Sequence, residues 1–251
     1  MPPPPVDHPD WRKRRPMRGV RRIVTGLAAA IVAAVVFMAW LGYFGGPLFT
    51  DVPTRTPSAR ARFAVVVLSS DIGFNAGIGP DIAARLAADG VPVVGVNMLT
   101  YLRRTRTPAE ITALIARAEQ RALRLGHTDR VVLIGLSFGA DMLHVGLVDL
   151  PARLRANVAK VVLIVPENTV QFRASPNEIF DYWTPTFAAT PSARQLTWAP
   201  LLCIHGSEEA DSLCPLLKQP NARIMALPGG HPLHRDADAL YATVSQFIFA
   251  H

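Results

Sequence analysis

Ser137 stands in Gly135-Leu136-Ser137-Phe138-Gly139, directly after the apolar run Arg130-Val131-Val132-Leu133-Ile134 and directly before a helical pattern through Asp141, Met142 and Leu143. A strand, a sharp Gly-x-Ser-x-Gly turn and a helix place a serine hydroxyl at the tip of the turn, exposed for nucleophilic attack. Such a hydroxyl is a weak nucleophile until a neighbouring base takes its proton, and the base needs an acid to hold it. Beyond Ser137 the chain carries His144, His205, His231, His234 and His251. His144 falls on the helix behind the turn, and His205 ends a strand. His231 follows Leu227-Pro228-Gly229-Gly230, just past the last predicted strand, where two glycines let a loop approach the serine. It is the candidate base, with His234 in reserve. The acid belongs to the loop Gly206-Ser207-Glu208-Glu209-Ala210-Asp211-Ser212-Leu213-Cys214-Pro215. Asp211, a few residues past the strand-ending glycine and shortly before a proline, is the first candidate, and Glu209 competes with it. A developing oxyanion needs two backbone N–H donors. Phe138 supplies one, and Asp71 or Ile72, in the loop after the first strand, the other.

These residues need a scaffold that brings positions 71, 137, 211 and 231 to one edge. Phe63–Leu68, Val91–Val96, Arg130–Ile134, Lys160–Val165, Leu201–His205 and Ile224–Leu227 read as short apolar strands. Pro80–Asp89, a helix from Pro108 to about Leu125, Ala140–Val148 and Ala237–Phe249 read as helices between them. Thr107, Pro108 and Glu110 form a capping-box start, and Gly126 is the expected stop. Alternating strands and helices with near-continuous apolar strands predict a mostly parallel sheet of about six strands with helices on both faces. With the serine turn and the order serine, acid, histidine, this is the α/β-hydrolase fold. The 35 residues between Val165 and Leu201 are longer than an ordinary connection. They hold Phe172, Phe180, Tyr182, Trp183, Phe187 and Trp198, so a cap at 166–200 and a packed excursion are both open readings.

Charge and hydropathy set the N-terminal organisation. Of 26 basic and 19 acidic residues in the 251-residue chain, residues 1–22 hold seven basic and two acidic. The basic balance therefore belongs to an arm, and no nucleic-acid partner is expected of the rest. Ile23–Phe49 is uncharged for 27 residues. About 20 apolar residues cross a bilayer core. The expected division is a basic cytoplasmic arm at 1–22, a transmembrane signal-anchor at 23–49, a linker at 50–61 and the catalytic domain at 62–251. The basic flank orients the domain to the outside. Met38-Ala39-Trp40-Leu41-Gly42 lacks a small-x-small cleavage site, so an uncleaved anchor is favoured over a secretory signal. Cys203 and Cys214 suit an exported protein with one short-loop disulfide. They have no zinc-like spacing, so no metal and no cofactor is expected.

The segments Leu68–Gly73, Gly90–Val96, Gly135–Asp141, Cys203–Pro215 and Leu227–His231 resemble the VirJ/AcvB bacterial virulence-protein family, across nearly all of residues 63–250. The resemblance implies a periplasmic α/β-hydrolase that cleaves aminoacyl-phosphatidylglycerol, notably the lysyl form; with the anchor read above, the expected location is the bacterial inner membrane, with the catalytic domain in the periplasm. The resemblance also implies Ser137, Asp211 and His231 as the triad. Ser70, Ile72 and Phe74 depart from the family's Ser-Gly-Asp-Gly-Gly-Trp loop, Leu136 replaces an aromatic, and Pro232 replaces a second histidine. A cationic aminoacyl group calls for a carboxylate. Glu178 and Asp181 are the candidates, and Glu178-Ile179 matches a Glu-Ile pair of the family. The alternatives are a general carboxylesterase or lipase, a peptidase, and a membrane-tethered secretion-accessory binding protein.

Overall fold

The computed structural model describes Met1 and residues 18–54, 62–174 and 186–250. It divides into two units, Met1–Phe37 and Met38–His251. Helix α1 (Arg18–Leu41) starts in the first. Its stretch Arg22–Leu41 has mean hydropathy 2.4 and is long and apolar enough to cross a membrane. The helix ends eight residues before the uncharged run does, because Gly42 takes φ 112°. Part of the expected span is thus not helix, and part of the expected linker is sheet: Phe49–Val52 is strand β1.

After β1 come β2 (Ala64–Leu68), α2 (Ile78–Ala88), β3 (Val93–Val96), α3 (Met98–Leu102) and α4 (Pro108–Gly126). Then follow β4 (Val131–Leu136), α5 (Phe138–Leu147), α6 (Ala152–Arg155) and β5 (Val158–Ile164). A small ribbon of β6 (Thr169–Val170) and β7 (Phe187–Ala188) precedes α7 (Thr190–Ala193). The chain closes with β8 (Leu201–Gly206), β9 (Ala222–Leu227) and α8 (Ala237–Phe249). The main sheet runs β1-β3-β2-β4-β5-β8-β9, with β1 antiparallel to β3 and every other pair parallel. Leu68 pairs with Gly135, Leu136 with Ile164 and Gly206 with Leu227. The strands therefore end together, and the loops after β2, β4, β8 and β9 share the carboxyl edge, where open α/β sheets bind ligands.

Side chains alternate across the sheet. Val66, Leu68 and Leu133 pack with Ile111 and Leu114 of α4 and Met142 of α5. Val65, Val67 and Ile134 pack on the other face with Ile82 and Leu86 of α2 and Val244 and Ile248 of α8. Helix α4 starts on the expected capping box, with Thr107 Oγ1 accepting from the Glu110 N–H and Glu110 Oε2 from the Thr107 N–H. It ends on His127 in the left-handed region (φ 46°) rather than at a left-handed glycine.

Glu119, fully buried on α4, is a stability determinant. Asn157 Nδ2 donates to its Oε1 at 3.1 Å, while Oε2 has no partner among the described residues. Burial pushes its carboxyl from an ordinary 4.5 up to about 7. A raised native pKa means the folded state holds this proton more tightly than the unfolded one. The associated stability is complete below about pH 4.5 and is lost as pH climbs to about 7. By linkage the loss is about 3 kcal/mol. Thermal melts at pH 5 and pH 8 should therefore differ, and Glu119→Gln should shrink that difference.

Candidate active site

Ser137 joins β4 to α5 at φ 48°, ψ −119°, a backbone position that side-chain-bearing residues avoid. The turn is held open by close packing. A Cβ on Gly139 would lie 2.4 Å from both the Leu68 and Ser69 carbonyl oxygens, so only glycine lets α5 start against the loop after β2. The first-turn N–H of Phe138 and those of Asp71 and Ile72 have no acceptor among the described residues. Ser70, Asp71, Ile72, Ser137 and His231 line one cavity of about 460 Å³, whose walls include the apolar Ile78, Leu136, Ile164, Leu233 and Leu240 and the charged Asp81 and Arg235.

His231 Nε2 lies 2.8 Å from Ser137 Oγ. Its other ring nitrogen, Nδ1, lies 2.5 Å from Glu209 Oε1. The sequence order places serine and histidine correctly, and the structure brings them together. His234 instead packs its ring on the backbone of Gly229. The acid is where sequence reading and structure part. Glu209, not Asp211, meets the imidazole. The Gly206 N–H donates to Glu209 Oε2 at 3.2 Å, folding this longer side chain back to the strand end beneath His231. Asp211 lies further round the loop, exposed, with its carbonyl accepting from the Asn168 N–H at 2.8 Å. Gly206 also lets the two loops meet, since a Cβ there would sit 2.4 Å from the carbonyl oxygens of Gly229 and Gly230. The Glu209 side chain is 7% exposed and that of His231 38%. The hydrogen bond to Glu209 raises the His231 pKa, against burial, which lowers it. A base must be neutral to act, so the acid limb of kcat/KM should lie above the 6.5 of ordinary histidine.

The acid loop is tied down by the disulfide Cys203–Cys214, from β8 to the short helical turn after the loop. Closing so short a loop contributes about 3 kcal/mol. Replacing both cysteines by alanine should lower the melting temperature by about 6–12 °C in a domain of this size. Differential scanning calorimetry measures it.

Two carboxylates near the site left no clear sequence signal. Asp141 is buried on the first turn of α5, and its Oδ1 accepts from the Glu167 N–H at 3.0 Å. Burial raises its pKa well above the ordinary value, reinforced by Glu167. Glu167 lies two residues after Val165, a β-branched residue forced to φ 45°, and forms an antiparallel bridge with Ser212 of the acid loop. Its pKa is raised first by burial, and it feels the charges of His231, Glu209, Asp211 and Asp71. Asp141 thus pins a strained turn that holds Glu167 within electrostatic reach of His231. Glu178 and Asp181 lie outside the described residues. The described parts of 166–200 pack on α5: His144 Nδ1 sits 2.9 Å from Ser192 Oγ of α7, and none of these residues lines the Ser137 cavity.

The architecture matches solved α/β-hydrolases. Est1E from Butyrivibrio proteoclasticus with ferulic acid bound superposes with TM-score 0.58 at 11% identity, covering 80% of this chain and 93% of that one. Proline iminopeptidase from Mycobacterium smegmatis gives 0.57 at 14% identity, over 80% of this chain and 93% of the other. The esterase domain of a Rhodothermus marinus protein gives 0.52 at 14%, over 78% and 89%. At these identities the likeness establishes the fold. No curated protein matches the sequence. The family model for the bacterial virulence protein VirJ matches residues 62–250, the whole of the sheet except β1 with all its site loops, and the chain belongs to that family.

Proposed function

We propose that this protein is a serine hydrolase that cleaves the aminoacyl ester of aminoacylated phosphatidylglycerol, such as the lysyl form, with its catalytic domain on the periplasmic side of the inner membrane. The observation that carries it is the unbroken line from Ser137 Oγ through the imidazole of His231 to Glu209, with contacts of 2.8 and 2.5 Å. In the reaction His231 Nε2 takes the Ser137 proton as Oγ attacks the acyl carbonyl. The N–H groups of Phe138 and of Asp71 or Ile72 receive the oxyanion. Glu209 holds the tautomer and balances the imidazolium. His231 then protonates the departing glycerol oxygen, and a water that it activates frees the amino acid from Ser137.

Family membership supports the substrate, and so does the charge at the mouth of the site. Asp71 lines the cavity, and Glu167, on the loop beside it, joins Asp71 in acting on the His231 imidazole; the two carboxylates suit an ammonium group on the acyl residue. Glu178 and Asp181 remain candidates for that contact, and Glu167 joins them. Glu167→Gln should raise KM for a lysyl ester about tenfold while leaving a neutral acyl ester nearly unchanged, the size of one lost charge-assisted hydrogen bond. Steady-state kinetics on the two esters measure it. The apolar stretch Arg22–Leu41 and the basic residues before it support the anchored, outward-facing placement.

The apolar walls of the cavity favour a second reading, a general carboxylesterase. Lipid analysis decides between them. The protein is expressed beside an aminoacyl-phosphatidylglycerol synthase, as wild type and as Ser137→Ala. Loss of the aminoacyl lipid with wild type alone supports the proposal. Unchanged lipid with turnover of simple esters leaves the carboxylesterase. Absence of fluorophosphonate labelling at Ser137 leaves a non-catalytic accessory protein.

A further inference from the structure

We infer that the C-terminal turn of helix α1 is a positioning element for catalysis, latched to the loop that supplies the second oxyanion donor. The inference rests on the functional reading above and adds to it a residue pair, Asn75 and Asn97, that couples the end of the apolar helix to the reaction centre.

The contacts form one continuous chain within the unit Met38–His251. The loop after β2 runs from Ser69 to Gly77 and includes Asp71 and Ile72. Its Asn75 side chain donates to the Trp40 carbonyl. Asn97, at the end of β3, donates from Nδ2 to the Leu41 carbonyl at 3.1 Å. Through Oδ1, Asn97 also accepts from the Thr100 N–H at 3.0 Å. Thr100 Oγ1 in turn reaches the Gly42 carbonyl at 3.3 Å. On the loop's other end, Ser69 Oγ accepts from the Met98 N–H at 3.0 Å. The carbonyls at the end of a helix lack intrahelical donors and need partners from elsewhere. Here those partners come from the oxyanion loop and the residues beneath it.

Gly73 shows how tight the seam is. It takes φ 82°, and a Cβ on it would lie 2.5 Å from the Leu41 carbonyl oxygen and 3.0 Å from Asn97 Oδ1. The loop therefore lies directly on the helix end at the residue next to Ile72. Leu41 is itself 6% exposed and belongs to the main core. An apolar segment that served only as an address would have no reason to be built into the core next to the oxyanion loop. The Asp71 and Ile72 N–H groups have no acceptor of their own among the described residues, so their aim depends on what holds the loop from behind.

Asn75 is exposed, which makes it the residue to change without disturbing the core. The experiment uses the full chain in detergent micelles, as wild type and Asn75→Ala. It reads three quantities: hydrogen exchange of the buried Gly73 amide, which donates to the Ser70 carbonyl at 3.1 Å, steady-state hydrolysis of p-nitrophenyl acetate, and the melting temperature. The expected result is exchange of the Gly73 amide faster by tenfold or more, kcat lower by about tenfold as for a misaimed oxyanion donor, and KM and melting temperature unchanged. Asn75→Gln, which keeps a donor, should recover part of kcat. Unchanged exchange overturns the latch, whatever the activity. Faster exchange with unchanged kcat, or a kcat loss that comes with a matching fall in melting temperature, overturns its role in catalysis. A wild type that turns over no ester removes the functional reading and the catalytic role of the latch together, while the exchange result still reports whether the latch exists.

Discussion

Ser137→Ala is expected to lower kcat for ester hydrolysis by about 10⁶-fold and to abolish fluorophosphonate labelling. The size follows from the way triad members act as a unit: removing the nucleophile costs about as much as removing all three. What survives is the contribution of substrate binding and of the backbone donors, which remain in place because alanine keeps the turn. The melting temperature should move little, since Ser137 Oγ makes its hydrogen bond to a partly exposed histidine rather than to a core group. A variant that retains more than about one part in a thousand of wild-type activity would place the nucleophile elsewhere. Single-turnover kinetics, with the protein in excess over substrate, separate this loss from any change in binding.

Glu209→Gln is expected to lower kcat by about 10⁴-fold, while Asp211→Asn should change it by no more than about threefold. The carboxylate of Glu209 fixes which imidazole nitrogen carries the proton. An amide in its place can present its NH₂ group to Nδ1 and so favour the unreactive tautomer. The pH profile supplies a second, independent readout. The Glu209 hydrogen bond is the largest cause of the raised His231 pKa. Removing it should move the acid limb of kcat/KM to lower pH even as the plateau collapses. Asp211→Asn should leave that limb close to its wild-type position, because Asp211 acts on the site only from a distance, through Glu167. The reverse ranking of the two variants would return the role to Asp211.

Why the sequence points to Asp211 is instructive. Distance along the chain from the strand-ending Gly206 and to the following Pro215 is the only ruler a sequence offers, and by that ruler Asp211 is well placed. The ruler ignores side-chain length and the direction of the turn. Glu209 has one more methylene than aspartate, and the N–H of Gly206 draws its carboxylate back toward the strand end. The serine and histidine escaped this problem because their positions are fixed by strand ends, which the apolar runs mark clearly. All six expected strands are present within a few residues of their expected ends, and α8 matches at both ends. Strand β1 did not stand out because Phe49-Thr50-Asp51-Val52 is four residues long, half exposed, and fused in sequence to an uncharged run that holds a helix and a turn as well. The roles of Asp141 and Glu167 were hidden for another reason. They depend on a bridge between loops 45 residues apart, Glu167 to Ser212, which no local pattern encodes.

Strand β1 also bears on how this molecule should be handled. Its four pairs with β3 cover Val93–Val96, and Asp51 receives two hydrogen bonds from the Arg121 guanidinium at 2.6 and 2.8 Å. A shortened chain begun at residue 62, where the family match starts, would strip this cover and leave a bare valine-rich rim on the sheet. Uncovered rims recruit one another. Self-association of such a fragment would then reflect a missing neighbour strand rather than the native quaternary state, and a preparation that retains residue 49 onward should stay dispersed.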